Sequence, residues 1–170
     1  FGAIVIDADE QARGALGSGS PLLPEVEAVF GPGLITDGEL NRQALAAKVF
    51  ADEDLRRKLE NLVHPEVARR VSAIRATLPP DAVVIYDVPL LVEKQLQSQF
   101  DAVIVVHSSL DTRLSRLQAR GISRSDALAR IEHQASDSDR AVIATYVIEN
   151  DGDLHDLQRQ CETVWKAISA

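Results

Sequence analysis

The chain is short of cysteine, of positive charge and of long apolar runs, and each shortage excludes something. Its single cysteine, Cys161, rules out an internal disulfide and gives no support to an oxidising compartment. Cys161 falls on an amphipathic helical pattern near Trp165, where a thiol packs inertly rather than acting as a nucleophile. Eighteen Lys and Arg stand against 26 Asp and Glu, a net charge of −8, which argues against non-specific nucleic-acid binding and against an anionic-membrane footprint. No apolar stretch approaches the roughly 20 residues that span a bilayer, and no signal-peptide pattern opens the chain. A cytoplasmic protein is the default that remains. Most of the basic residues are Arg, 14 of 18, which suits bidentate phosphate recognition but follows equally from GC-rich coding.

What is there points to α/β architecture. With 170 residues and 45% hydrophobic content, the chain has enough for one domain with a sizeable core. Four segments read as strands: 3–6, 82–87, 102–107 and 146–148. They are Val/Ile-rich and nearly continuous in apolar character, the pattern of strands covered on both faces in a mostly parallel sheet. Each ends in polar groups: Asp7 and Asp9, Asp87, His107-Ser108, and Asn150. In a parallel sheet such ends gather along one edge, where ligands bind in open α/β folds.

Helix caps are legible between the strands. Ser109 caps 110–119; Ser123, with Asp126 three positions on, opens a helix to about Gln134; Asp153 caps 154–168, with Leu157, Cys161, Val164 and Ile168 on one stripe. Asp52 starts a helix over 53–63, and Pro65 is a favoured first residue for a separate one over 65–77. The stretch from about Gln11 to Pro80 is far longer than an ordinary βα connection, which predicts a helical insertion that caps the substrate. His107, His133 and His155 have no metal-ligand spacing.

An ordered series of short blocks then becomes recognisable. It includes Gly2-Ala3-Ile4-Val5-Ile6-Asp7-Ala8-Asp9 with Ala12-Arg13, Leu40-Asn41-Arg42, Leu62-Val63-His64-Pro65 and Asp87-Val88-Pro89-Leu90-Leu91 with Glu93. Arg113-Leu114-Ser115-Arg116-Leu117, Gln134-Ala135-Ser136 with Arg140, and Val147-Ile148 with Asn150 and Gly152 follow. Together they resemble the dephospho-coenzyme A kinases, which are P-loop kinases of the nucleoside-monophosphate-kinase type. The resemblance implies ATP- and Mg²⁺-dependent phosphorylation of the ribose 3′-hydroxyl of dephospho-coenzyme A. It also implies a P-loop-like parallel core (1–10 and 81–170), a coenzyme-binding insertion (11–80) and a lid (114–136).

Residue roles follow from the same resemblance. Asp9 matches the catalytic aspartate, and Asp7 supports the phosphate loop or a metal-bound water; both also read simply as caps of the next helix. Arg13, one turn beyond Asp9, holds the acceptor. Arg116 and Arg120 share one helix face and clamp ATP phosphates, or form a solvated basic face with Arg113 and Arg124. Asp87 holds Mg²⁺ through water or fixes a turn. Leu90 and Leu91 wall the pantetheine arm or belong to the core, and His64 touches the coenzyme or caps a helix. Arg140 and Asn150 lie on the adenine side, although Asn150-Asp151-Gly152 is also a good turn.

One departure is plain. The family's Gly-rich phosphate loop ending Gly-Lys-Ser/Thr is not among the 170 residues, and Gly17-Ser18-Gly19-Ser20 lacks the Lys and runs into Pro21. Phe1-Gly2 reads as a helix end closed by a left-handed glycine, which places the loop just upstream and predicts that the 170 residues alone do not turn over. A non-catalytic coenzyme or nucleotide binder, and another metabolite kinase of the same fold, are the alternatives.

Overall fold

All four apolar segments form strands, at β1 (Ile4–Asp7), β4 (Val84–Asp87), β5 (Ile104–His107) and β6 (Tyr146–Glu149). The computed structural model describes residues 1–170 and resolves them into two units, Ala3–Val88 and Phe1–Gly2 with Pro89–Ala170. Each unit holds one parallel strand pair. β1 lies beside β4 with Asp7 opposite Asp87, and β5 lies beside β6 with His107 opposite Glu149.

The strands differ from expectation in one respect. Successive side chains point to opposite faces, so Ile6 is 2% exposed while its neighbour Val5 is 65% exposed. Val106 and Val147 are likewise 55% and 46% exposed. Burial alternates along β1 and β6, whereas Val84, Ile85 and Tyr86 of β4 are all half-buried, so the unbroken Val/Ile runs reflect strand-forming residue types as much as burial.

In the Ala3–Val88 unit, β1 runs directly into α1 (Ala8–Ala15), followed by α2 (Leu23–Phe30), α3 (Arg42–Ala51) and α4 (Glu53–Ala76). Between α2 and α3 a short antiparallel ribbon, β2 (Ile35–Thr36) with β3 (Glu39–Leu40), turns at Asp37-Gly38. Both turn residues have positive φ, 53° and 77°, which an Asp-Gly pair tolerates best. The core gathers Leu16, Leu22, Val26, Phe30, Leu34, Leu45 and Val63, with Leu55, Leu59, Leu62 and Val67 of α4 packed against it.

That stripe along α4 explains a second correction. The expected break between 63 and 65 does not occur, and Pro65 lies inside a single 24-residue helix. Proline in a helix interior costs about 3 kcal/mol. Buried Val63 and Glu66 flank Pro65, and α1, α2 and α3 all pack on α4, so tertiary contacts on either side outweigh the missing hydrogen bond. His64 is therefore not a cap; it is an exposed mid-helix residue. Glu66, though buried, is held by a two-pronged ion pair with Arg69, both contacts 2.7 Å, and that bond lowers its pKa.

In the other unit, α5 (Leu110–Ala119), α6 (Arg124–Glu132) and α8 (Leu154–Ile168) start at the expected caps Ser109, Ser123 and Asp153. Leu114 and Ala127 are buried where α5 meets α6. A further short helix, α7 (Asp137–Ile143), opens with a reciprocal capping box between Ser136 and Asp139. α8 packs on β6 with Val164 buried, and the rings of Phe1 and Trp165 stack with centroids 6.2 Å apart.

Candidate functional site

Two strand ends carry the candidate residues, one in each unit. In the first unit, Asp7 and Asp87 are register partners, so two carboxylates stand on adjacent strands about 4.8 Å apart at the backbone. Asp7 is also the N-cap of α1, and one of its oxygens accepts the Glu10 N–H at 2.9 Å. The expected capping role therefore belongs to Asp7 alone. Asp9 sits inside the first turn of α1, exposed, where an acidic side chain complements the helix dipole. Arg13 follows four residues later on the same exposed face.

The direction of α1 is fixed at its far end. Arg42 of α3 donates to the carbonyls of Arg13 (2.8 Å) and Leu16 (3.1 Å), satisfying groups that a helix C-terminus leaves open. Arg70 of α4 reaches Gln11 of α1 at 3.3 Å. The helix that carries Asp9 and Arg13 is thus tied to two others.

The strand end in the second unit is densely cross-linked. His107 Nδ1 lies 2.6 Å from Glu149, its Nε2 lies 3.7 Å from Asp137, and Arg113 bonds the same Asp137 oxygen at 2.6 Å. The Glu149 bond and the negative field of Asp137 raise the His107 pKa against the opposing effects of partial burial and Arg113. Asp151 accepts the Ser109 N–H with both oxygens, at 3.0 and 2.9 Å, and the Ser109 hydroxyl at 3.0 Å. Bonds from Thr112 and Ser109 lower its pKa. A cavity of about 340 Å³ opens here, lined by His107, Arg113, Arg140 and the apolar Val105, Val106 and Val147.

Several residues singled out in the sequence meet in this unit. Arg116 donates to the Asn150 side chain at 3.4 Å, Arg140 lines the cavity and bonds Gln134 at 3.2 Å, and Arg120 is the exposed C-cap of α5. Leu90 is exposed and Leu91 half-buried in a turn whose carbonyls accept from Lys94 and Leu96. Glu93 accepts the Ala135 N–H at 2.8 Å. The His107–Glu149–Asp137–Arg113 group was missed, because its members are far apart in sequence and only strand register and α7 bring them together. Ligand atoms of His107, Glu149 and Asp151 lie within 4.8 Å of one another, but these side chains already satisfy each other and Ser109.

Comparison with known proteins decides the family. The family model for dephospho-CoA kinase (CoaE) matches residues 1–156. The chain belongs to the dephospho-CoA kinase family. It is 41% identical over 170 residues to the dephospho-CoA kinase of Frankia casuarinae, covering 99% of this chain and 74% of that protein. It is 45% identical over 166 residues to that of Mycobacterium tuberculosis, covering 96% of this chain and 41% of the longer relative. Among solved structures, TT1252 from Thermus thermophilus superposes with a TM-score of 0.82 at 33% identity, over 99% of this chain and 86% of that one. The dephospho-CoA kinase from Campylobacter jejuni, at 24% identity and a TM-score of 0.74, shares the fold over 99% of this chain and 86% of its own. The parallel α/β architecture with flanking helices is that of this family.

Proposed function

We propose that the protein carrying this chain transfers the γ-phosphoryl group of ATP to the ribose 3′-hydroxyl of dephospho-coenzyme A, giving coenzyme A and ADP. The observation that carries the reading is the family match across residues 1–156. It favours a kinase over a non-catalytic binder of the same ligands.

Phosphoryl transfer requires little covalent chemistry from the protein; it requires positioning and charge stabilisation. In this reading Asp9 accepts the proton of the 3′-hydroxyl as its oxygen bonds to the γ-phosphorus and the bond to ADP breaks. Its exposure at the first turn of α1 leaves it accessible to a substrate hydroxyl. Arg13, on the same face, holds the acceptor, and His64, Leu90 and Leu91 contact the coenzyme. Asp7 orients the β1–α1 junction. Arg116 neutralises charge on the transferred group, with Arg120, Arg140 and Asn150 on the nucleotide. Residues 11–80 form the coenzyme-binding insertion, 114–136 the lid, and the remainder the nucleotide-kinase core.

Magnesium is part of the proposal. The donor set fits: Asp7 and Asp87 present carboxylate oxygens on adjacent strand ends, the hard ligands this ion prefers, and Asp7 keeps one oxygen free of its capping bond. Held there directly or through water, the ion would supply neutralisation of the ATP phosphates. No helix is long and apolar enough to cross a membrane, and a cytoplasmic location belongs to the same reading.

The test is turnover by the full-length protein. Incubation with Mg-ATP and dephospho-coenzyme A, followed by mass spectrometry, should yield one added phosphate on the ribose 3′ position with matching ADP. A product phosphorylated on a different nucleoside or metabolite in a substrate panel, with dephospho-coenzyme A untouched, would replace this reading by the second kinase alternative.

A further inference from the structure

We propose that Gln160 of α8 is a positioning residue for nucleotide binding, acting through the peptide that joins Glu149 to Asn150. This rests on the reading of Asn150 as a nucleotide contact. Gln160 Oε1 accepts the N–H of Glu149 at 2.8 Å, and Gln160 Nε2 donates to the Glu149 carbonyl at 2.8 Å. Both bonds go to one residue and both go to backbone.

Strand geometry gives this pairing its meaning. Along a strand the N–H and C=O groups of successive residues face alternate edges. The N–H of Asn150 bonds the His107 carbonyl at 2.7 Å and so continues the ladder toward β5. The Glu149 backbone therefore faces the opposite edge, where the Gln160 amide supplies one donor and one acceptor in place of a further strand. Only an amide side chain offers both at this spacing without charge.

The consequence falls on a single peptide plane. The Glu149 carbonyl and the Asn150 N–H belong to the same planar unit. Gln160 holds one end of it and His107 the other. On the far side of Asn150, Asp151 is locked to the N-terminus of α5 through Ser109. Asn150 is thereby clamped on both flanks, with its side-chain oxygen turned to Arg116. Neither Gln160 nor Asp151 needs to touch the nucleotide for its loss to misplace the group that does.

The experiment measures steady-state kinetics of the full-length protein with Gln160→Glu, Gln160→Met, Asn150→Ala and the Gln160→Met/Asn150→Ala double variant. Gln160→Glu retains an acceptor but loses the donor to the Glu149 carbonyl; Gln160→Met keeps the length and loses both bonds. Passed in full to ATP binding, loss of one such bond corresponds to about a two- to ten-fold rise in KM for ATP, and loss of both to about a five- to hundred-fold rise. The proposal expects the first rise in Gln160→Glu and the second in Gln160→Met, with kcat and the KM for dephospho-coenzyme A within two-fold. It expects no further rise in the double variant beyond Asn150→Ala alone. Additive effects in the double variant would overturn it. So would a lowered melting temperature with an unchanged KM for ATP, which assigns Gln160 to stability alone. If Asn150→Ala itself leaves the KM for ATP unchanged, the nucleotide reading of Asn150 fails and takes this inference with it. If Asn150→Ala weakens ATP while the Gln160 variants do not, only this inference fails.

Discussion

The two parallel strand pairs of this molecule end in opposite ways. Where β1 and β4 stop, Asp7 and Asp87 stand side by side with Asp9 the second residue of the following helix, and no counter-charge joins them in an ion pair. Where β5 and β6 stop, His107 and Glu149 occupy the corresponding register positions and are bound to each other, to Asp137 and, through it, to Arg113. One edge is a cluster of like charges, which the proposed reading gives a cation and a substrate hydroxyl. The other is internally compensated by its own ion pairs. The strand geometry is the same at both ends, and the residue type at the last strand position separates them.

Asp9→Asn should break the first edge most severely. Removing a general base costs about 10²–10⁴ in rate, so kcat should fall by that range while the KM for dephospho-coenzyme A stays within a few-fold. Near wild-type turnover would remove Asp9 from the base role. Arg116→Ala should act more mildly and on the nucleotide side, lowering kcat/KM for ATP by about 10- to 100-fold through loss of a charge-assisted contact. An unchanged kcat and KM for ATP would make Arg116 part of a solvated face with its neighbours on α5. The Gln160 variants come next in size.

The smallest effect is in pH dependence, and its sign separates the two titrating groups at the second edge. His107 has a raised pKa, so its ionic contribution to stability is fully present below about pH 6.5 and is lost as pH rises through its higher folded value. Asp151 has a lowered pKa, so its contribution is present above the usual carboxylate range and is lost as pH falls through its lower folded value. Nuclear magnetic resonance should find the His107 ring titrating above 6.5, and Glu149→Gln should bring that midpoint down. A His107 midpoint at or below 6.5 in the unmodified protein would show that the 2.6 Å contact does not persist in solution.

Local signals were the readable part of this chain. The strand segments and the caps at Ser109, Ser123 and Asp153 lie within a few residues of the structure they specify. Two other local signals were equally available: the Ser136/Asp139 capping box of α7 and the Asp37-Gly38 hairpin turn. Pro65 misled because its intrinsic penalty is local, whereas the stripe Leu55, Leu59, Leu62, Val63, Val67 that holds α4 together runs straight past it. The site divides along the same line. Asp7-Ala8-Asp9 is contiguous and so is legible in the sequence itself. The His107–Glu149 bond links residues 42 apart and the Arg116–Asn150 bond residues 34 apart, so both needed the pairing of β5 with β6 and the course of α5. Gln160 carried no signal of its own, because its partner is backbone.

The division of labour between the two strand ends is tested most directly by backbone amide chemical shifts of the full-length protein during separate titrations with each ligand. ATP with magnesium should perturb Arg116, Asn150 and Arg140, with Asp7 and Asp87 where the ion is held, and dephospho-coenzyme A should perturb Arg13 and His64. If dephospho-coenzyme A instead moved the Arg116–Asn150 group while leaving Arg13 and His64 still, the assignment of donor and acceptor to these regions would be contradicted.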